Sequence, residues 1–81
     1  MRAKLKVESV LKTEYGEQVK MVAVCKNTPY PADGSDEDNT YASFTPAASL
    51  EINIRNPNLY GKIVPGQKYY CDFELVEEKT Q

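Results

Sequence analysis

Apolar and charged side chains alternate one by one at the start of this chain, from Ala3 to Glu8. A period of two is typical of a β-strand with one buried face, because successive side chains point to opposite faces of a sheet. The alternation slips at Ser9, which takes an inward position, and Val10 and Leu11 are then adjacent. This slip predicts a β-bulge, or a bend where the first strand curls.

A second strand is predicted over residues 18–26, after a turn in which Gly16 can adopt a positive φ angle. One face of this strand carries four small or apolar side chains: Val19, Met21, Ala23 and Cys25. Val22 and Val24 make the opposite face apolar as well, so we expect this strand to be central or covered on both faces.

Three further strands are expected towards the end of the chain. The clearest alternation runs over residues 50–55 and predicts a strand with its three large aliphatic side chains turned inward. A short edge strand is expected to begin at Tyr41 and to end at Pro46, because proline cannot donate to a strand ladder. The last strand is predicted over residues 68–76, and its inner face would carry Tyr69, Cys71, Phe73 and Leu75.

Two turns separate these last strands. The segment from Asn56 to Gly61 fits a single helical turn, because Asn is a good N-cap and proline suits the first helical position. Leu59 and Ile63 are expected to close one end of the core. Pro65-Gly66 predicts a type II turn immediately before the last strand.

The elements together predict an all-β fold, a small antiparallel barrel or sandwich of about five strands with one short helical turn. A five-stranded barrel of the oligonucleotide-binding type is one candidate. A chain of 81 residues fits a single domain, residues 1–81. Chains this short often complete their burial by self-association, so we expect a homo-oligomer.

Residues 27–40, which we call the acidic loop, are predicted to be exposed, and mobile unless a ligand or a neighbouring chain orders them. The loop carries four carboxylates: Asp33, Asp36, Glu37 and Asp38. Their order resembles a calcium loop only in part, since the required spacing and the closing Glu are missing, so no metal site is predicted. The segment is interpreted either as a solvated loop or as a lid over a binding site.

The formal charge is −2, and the 10 basic residues face only 8 acidic ones once the four in the acidic loop are set aside. Such a nearly neutral body argues against duplex DNA as a partner, because tight binding requires several phosphates to be neutralised together. A small anionic ligand remains compatible. The chain shows no signal-peptide pattern and no apolar run near the roughly 18 residues that span a bilayer, so we expect a cytoplasmic protein with no membrane partner.

The sequence predicts that the protein is not an enzyme and has no catalytic residue and no cofactor. Histidine is absent, which removes the commonest general base and metal ligand. Cys25 and Cys71 therefore lack a histidine that would activate them. They are interpreted as two buried thiols, with a disulfide between neighbouring strands as the alternative.

Tyrosine is the most informative excess in the composition, with six tyrosines against two phenylalanines and no tryptophan. Tyr69 is expected in the core. The other five fall in turns, at loop flanks or at outward strand positions, where a phenol can stack on a base and donate a hydrogen bond. With two outward cations, they give the candidate ligand-binding residues Tyr15, Lys20, Tyr30, Tyr41, Arg55, Tyr60 and Tyr70. Tyr and Arg are equally favoured at protein interfaces.

Four stretches of the chain resemble a group of small accessory proteins encoded by tailed bacteriophages: Met1–Lys4, Ala42–Leu50, Asn56-Pro57 and Pro65–Phe73. None of these stretches is a catalytic motif. The resemblance implies a viral origin and hence a place in the host-cell cytoplasm. It also favours the roles that small phage proteins take: binding nucleic acid, blocking a host protein, trapping a nucleotide immune signal or decorating a virion.

Three functions are compatible with these observations. The first is a non-catalytic, oligomeric binding module that counters host defence by sequestering a nucleotide-like immune signal between protomers. The second is a protein–protein module, either an inhibitor of a host factor or a virion accessory protein. The third is a single-stranded DNA-binding protein, against which the nearly neutral charge counts.

Overall fold

The computed structural model describes residues 1–77, which form one antiparallel sheet of four strands. The strands are β1 (Arg2–Thr13), β2 (Gly16–Ala23), β3 (Ser49–Ile54) and β4 (Lys68–Asp72), and a single 3-10 turn spans Pro57–Leu59. The prediction of a mostly β chain with one short helical turn is confirmed. The expected count of about five strands is one too many.

The order of the strands in the sheet is β3-β2-β1-β4. The central position predicted for the second strand is therefore confirmed. Within residues 1–77 no pairing joins β3 to β4, so these two strands are the edges of the sheet. Closure into a barrel, or packing of a second sheet as in a sandwich, is not seen in this part of the chain.

Of the two irregularities predicted for the first strand, a bulge or a bend, the structure has the bulge. The register of β1 against β2 shifts between Val7 and Ser9. The extra residue, Glu8, turns Ser9 to the polar face of the sheet and returns Val10 to the apolar face, opposite Val19. A serine that the simple alternation would bury is thereby left at the surface.

The edge strand expected over residues 41–46 does not form. The segment bonds to the acidic loop: the Ala42 N–H donates to the Asn39 carbonyl at 2.9 Å, and the Phe44 N–H to the Gly34 carbonyl at 2.7 Å. Phe44 also has a φ of 62°, in the left-handed region that a strand does not contain. The missing fifth strand is therefore a series of turns.

The core lies on one face of the sheet, which we call the apolar face. Its six buried members are Ala3, Leu5, Val7, Val19, Met21 and Ile54. Tyr41 and Ile63, from the connecting segments, pack against them, and the expected role of Ile63 is thus confirmed. The molecule is thin, with extents of 48 × 43 × 16 Å, and its radius of gyration of 15.5 Å exceeds the roughly 12 Å of a compact chain this long.

Five side chains that the sequence predicted to be inside, four from strand alternation and Leu59 from the helical turn, are more than a third exposed: Ile52, Leu59, Tyr69, Phe73 and Leu75. The last two follow from a strand that is shorter than predicted. β4 ends at Asp72, the partner of Arg2, and the Phe73 N–H makes one further bond, to the carbonyl of Met1 at 2.9 Å. Leu75, 89% exposed, therefore has no sheet to cover.

The type II turn predicted before the last strand is confirmed. Gly66 has a φ of 94°, and the Gln67 N–H donates to the Val64 carbonyl at 3.2 Å. The Gly66 N–H donates to the Val7 carbonyl at 2.9 Å. The turn thus joins β4 to β1 at the residue where the bulge begins.

Asn39, 0% exposed, ties the acidic loop to the sheet. Its side-chain oxygen accepts from the Lys4 N–H at 2.9 Å, and its Nδ2 donates to the Val24 carbonyl at 2.9 Å. The expectation that the whole loop is exposed is wrong here, at Gly34 and at Asp36, whose carboxylate accepts two backbone N–H groups of the loop.

Candidate ligand groove

Two adjoining clefts lie on the polar face of β1, β2 and β3, with volumes of about 350 Å³ and 280 Å³. Gln18 and Asn53 line both of them, so the clefts are continuous. Tyr15 and Arg55 belong to the first cleft and Lys20 to the second. We call these five residues, with the space between them, the polar groove.

The hairpin between β1 and β2 positions Tyr15 at one end of the polar groove. The Thr13 hydroxyl accepts from the Tyr15 N–H and donates to the Gly16 carbonyl, both at 3.2 Å. Gly16 has a φ of 147°, and a side chain there would collide with the Ile54 carbonyl, so the tight turn requires glycine. Tyr15 is left 71% exposed, with its ring free to stack on a planar ligand.

The floor of the polar groove is made by paired residues of β2 and β3. Gln18 lies opposite Asn53, and Lys20 lies opposite Glu51, in the antiparallel register. Both amide side chains are exposed, and each offers two donors and one acceptor. Such amide groups can form hydrogen bonds with the polar edge of a base without adding a proton to it or removing one.

The charges that line the polar groove are mixed. Arg55 is exposed. Lys20 forms an ion pair with Glu8, whose Oε1 lies 3.6 Å from the lysine Nζ. Glu14 and Glu51 also line the clefts. This balance suits a ligand with one or two phosphates near the cations, and it opposes a long polyanion.

Tyr70 lies on the same face but at the other end of the sheet, within an ionic cluster. The Arg2 guanidinium binds Asp72 through two hydrogen bonds, of 2.8 Å and 3.2 Å, and lies 4.5 Å from the centre of the Tyr70 ring. The Tyr70 hydroxyl donates to Asp38 at 2.8 Å, and Lys4 Nζ lies 3.5 Å from the same carboxylate. Tyr70 therefore already joins the acidic loop to β1 and β4.

The hydrogen bonds of this cluster shift the pKa of its members. The bond from Tyr70 and the charge of Lys4 lower the pKa of Asp38, and the bond from Arg2 lowers the pKa of Asp72. The pKa of Tyr70 is raised, chiefly because its hydroxyl donates to the Asp38 carboxylate. The cluster is thus built for ionised carboxylates and a neutral phenol.

Tyr30 and Tyr41 are half-buried beside the acidic loop. Within residues 1–77 their hydroxyls are buried without a hydrogen bond of good geometry, although Cys25 and Asp36 lie near the Tyr30 hydroxyl. Burial raises the pKa of both phenols. The Tyr30 ring meets Phe44 edge-on, with centroids 5.9 Å apart. Both rings are therefore packed against protein.

Tyr60, the remaining candidate, follows the 3-10 turn and is partly exposed. Its hydroxyl lies next to Gly16, close to the position that a Cβ atom on Gly16 would occupy. The structure thus brings Tyr15, Lys20 and Arg55 together in one groove. It places Tyr30, Tyr41, Tyr60 and Tyr70 elsewhere.

Gln18 and Asn53 are groove residues that the sequence did not single out. Both occupy outward positions of strands, which could have marked them as surface groups. Their pairing across β2 and β3 depends on the strand register, which a single sequence does not contain.

Neither cysteine forms a disulfide. Cys25 is exposed, since it lies beyond the end of β2, and Cys71 is half-buried. The prediction of a buried thiol is therefore wrong for Cys25. Among residues 1–77, no three or more carboxylate or thiol side chains are grouped so that they could hold a metal ion.

Comparison with known proteins found no matching family model, no similar curated protein and no similar solved structure. The resemblance to phage accessory proteins therefore stays a prediction. In the part of the chain that the structure describes, no helix has the length and apolar character needed to cross a membrane.

Proposed function

We propose that this protein is a non-catalytic binding module that holds a nucleotide-like ligand in the polar groove. The observation that carries the proposal is the convergence of Tyr15, Lys20 and Arg55 on one continuous groove whose floor is Gln18 and Asn53. An aromatic ring, two amides and two cations are the groups that bind a base, its polar edge and its phosphates.

Binding without turnover fits the composition of the polar groove. The chain contains no histidine. Glu17 borders the first cleft, but its side chain is buried and its carboxylate accepts a hydrogen bond from the Gly61 N–H at 3.2 Å, so it fixes a neighbouring turn. A ligand held here is expected to leave unchanged.

The phage resemblance gives this activity a biological purpose. A viral protein that binds a nucleotide without altering it lowers the free concentration of that nucleotide in the host cytoplasm. We therefore propose that the module counters host defence by sequestering a nucleotide-like immune signal.

A protein partner is the second candidate function, and the apolar surface favours it. Within residues 1–77, thirteen large apolar or aromatic side chains are substantially exposed, among them Phe44, Phe73 and Leu75. Exposed aromatic side chains are enriched at protein interfaces. An inhibitor of a host factor, or a virion accessory protein, would use it. Single-stranded DNA binding is less well supported because carboxylates line the polar groove.

Calorimetry against a panel of linear and cyclic nucleotides tests the first proposal. We expect at least one nucleotide to bind at micromolar concentration and to be recovered unchanged after the protein is denatured. The absence of binding across the panel would contradict the proposal, and recovery of an altered nucleotide would contradict its non-catalytic part. A host or capsid protein retained in a pull-down, with indifference to nucleotides, would favour the second candidate.

A further inference from the structure

β3 is an edge strand whose outer side is unoccupied. Within residues 1–77, β2 is its only strand partner, and no backbone hydrogen bond reaches the outward peptide groups of the strand. The strand has six residues and contains no proline. An unpaired edge of this kind is a template for another strand.

The register identifies which peptide groups point outward. The Ala23 N–H donates to the Ala48 carbonyl, so the pairs that exchange hydrogen bonds between β2 and β3 involve the even-numbered residues of β3. Ser49, Glu51 and Asn53 therefore direct their N–H and C=O groups away from the sheet.

The opposite edge of the sheet is less suited to pairing. β4 has only five residues, and charged Lys68 and Asp72 lie at its two ends. The Arg2–Asp72 ion pair lies beside that edge as well. Short, charged edge strands resist association, whereas β3 carries one charged residue, Glu51.

We propose that the outer edge of β3 pairs with β3 of a second copy of this chain, antiparallel and about a two-fold axis. In one register, Asn53 lies opposite Asn53 of the second copy. Glu51 of each copy then lies opposite Arg55 of the other copy. Both side chains point to the polar face, so two ion pairs form across the axis. On the apolar face, the same register sets Ile52, which is 39% exposed, opposite Ile54 of the second copy.

Alternative registers are less favourable. A shift that sets Glu51 opposite its own copy brings like charges together, which destabilises a strand pair. Symmetric pairing of one patch with itself also closes after two chains, whereas pairing β3 with β4 would continue into rings or fibres. The charges of Glu51 and Arg55 thus select both the partner and the register.

The dimer would place two polar grooves on one surface, because a two-fold axis perpendicular to the sheet keeps both polar faces on the same side. Asn53 and Arg55 of each chain would then border the axis. The dimer depends on the edge of β3 and its charges and does not require the proposed ligand. It is therefore tested without one.

Sedimentation velocity over a wide concentration range tests the pairing. We expect the wild-type chain to approach twice its 9.1 kDa mass as concentration rises. Asn53→Pro removes an outward N–H that β2 does not use, so the variant should keep its sheet but stay monomeric. Lys68→Pro makes the matched change on the β4 edge and should still dimerise. A wild type that is monomeric throughout, or an Asn53→Pro variant that dimerises, would overturn the proposal.

A charge exchange tests the register without touching the backbone. Glu51→Arg and Arg55→Glu should each shift the dimer to monomer, because each sets like charges across the axis. The double variant Glu51→Arg/Arg55→Glu restores two opposite pairs and should dimerise as the wild type does. A double variant that remains monomeric, or single variants that dimerise normally, would overturn the register.

Discussion

Asn39 shows how one side chain can replace a strand residue. Beyond Ala23, one direct bond still joins β1 to β2, from the Val24 N–H to the Lys4 carbonyl at 3.0 Å. The Asn39 amide takes the place of the second bond by pairing with the Lys4 N–H and the Val24 carbonyl. The bond to Lys4 joins residues 35 positions apart. Neither periodicity nor composition contains that contact, so the sequence indicated an exposed loop where the structure has a buried anchor.

Replacing Asn39 should destabilise the fold strongly. Asn39→Ala leaves the Lys4 N–H and the Val24 carbonyl unpaired, and we expect the free energy of unfolding to fall by about 2–4 kcal/mol. Asn27→Ala, in the exposed start of the same loop, should change it by less than about 0.5 kcal/mol. Chemical denaturation measures both. Equal effects of the two changes would show that Asn39 is not an anchor.

The Asp38–Tyr70 bond should appear in the pH dependence of stability. Because the pKa of Asp38 is lower in the folded than in the unfolded chain, the unfolded chain binds the proton more readily. Stability should therefore fall as the pH drops from about 4 through the folded pKa. Tyr70→Phe should make this fall shallower, whereas Tyr15→Phe, at the exposed hairpin, should leave it unchanged. Chemical denaturation at a series of pH values measures the pH dependence of stability for each protein. Identical slopes for the wild type and Tyr70→Phe would contradict the stabilising role of the Asp38–Tyr70 bond.

At the scale of elements, the sequence located strands well where apolar residues alternate and poorly where a partner strand is missing. β3 follows from the pattern alone. The pattern also located the irregularity in β1, although the register was needed to distinguish a bulge from a bend. The alternation continues through Leu75, but β4 ends at Asp72, where its pairing with Arg2 of β1 ends. Pairing is a property of two segments, and periodicity describes only one.

The bulge makes a prediction about deletions. Removing Glu8 converts the bulge into a regular ladder and keeps Val10 on the apolar face. Removing Lys6 instead moves Ala3 and Leu5 to the polar face. We expect the Glu8 deletion to unfold cooperatively near the wild-type temperature and the Lys6 deletion to lose the fold, as followed by circular dichroism. Comparable destabilisation of the two variants would count against the observed register.

At the scale of the whole molecule, a thin sheet with a core of six side chains leaves much apolar surface exposed. The sequence led us to expect an oligomer from length alone. The proposed dimer adds a specific interface, the outer edge of β3, and a pair of charges, Glu51 and Arg55. The groove was predictable only in part, because Tyr15, Lys20 and Arg55 meet through the register of three strands.

Substitutions in the polar groove should weaken nucleotide binding without unfolding the protein. Tyr15→Ala removes a stacking surface and should lower affinity by about tenfold or more, while Tyr15→Phe should retain most of it. Arg55→Ala should lower affinity for phosphorylated ligands but not for the free nucleoside. Lys62→Ala, outside the groove, is the control. Calorimetry on the four variants checks these expectations, and equal losses in all four would mean that binding lies elsewhere.

An NMR titration tests the central claim most directly, because it reports binding and position together. With a bound nucleotide, we expect the amide and side-chain signals of Gln18 and Asn53, and the backbone signals of Tyr15 and Arg55, to shift with one common dissociation constant. The signals of Tyr70 should remain in place. Shifts confined to the Tyr70 cluster, or none with any nucleotide of the panel, would contradict the assignment of the polar groove as a ligand site.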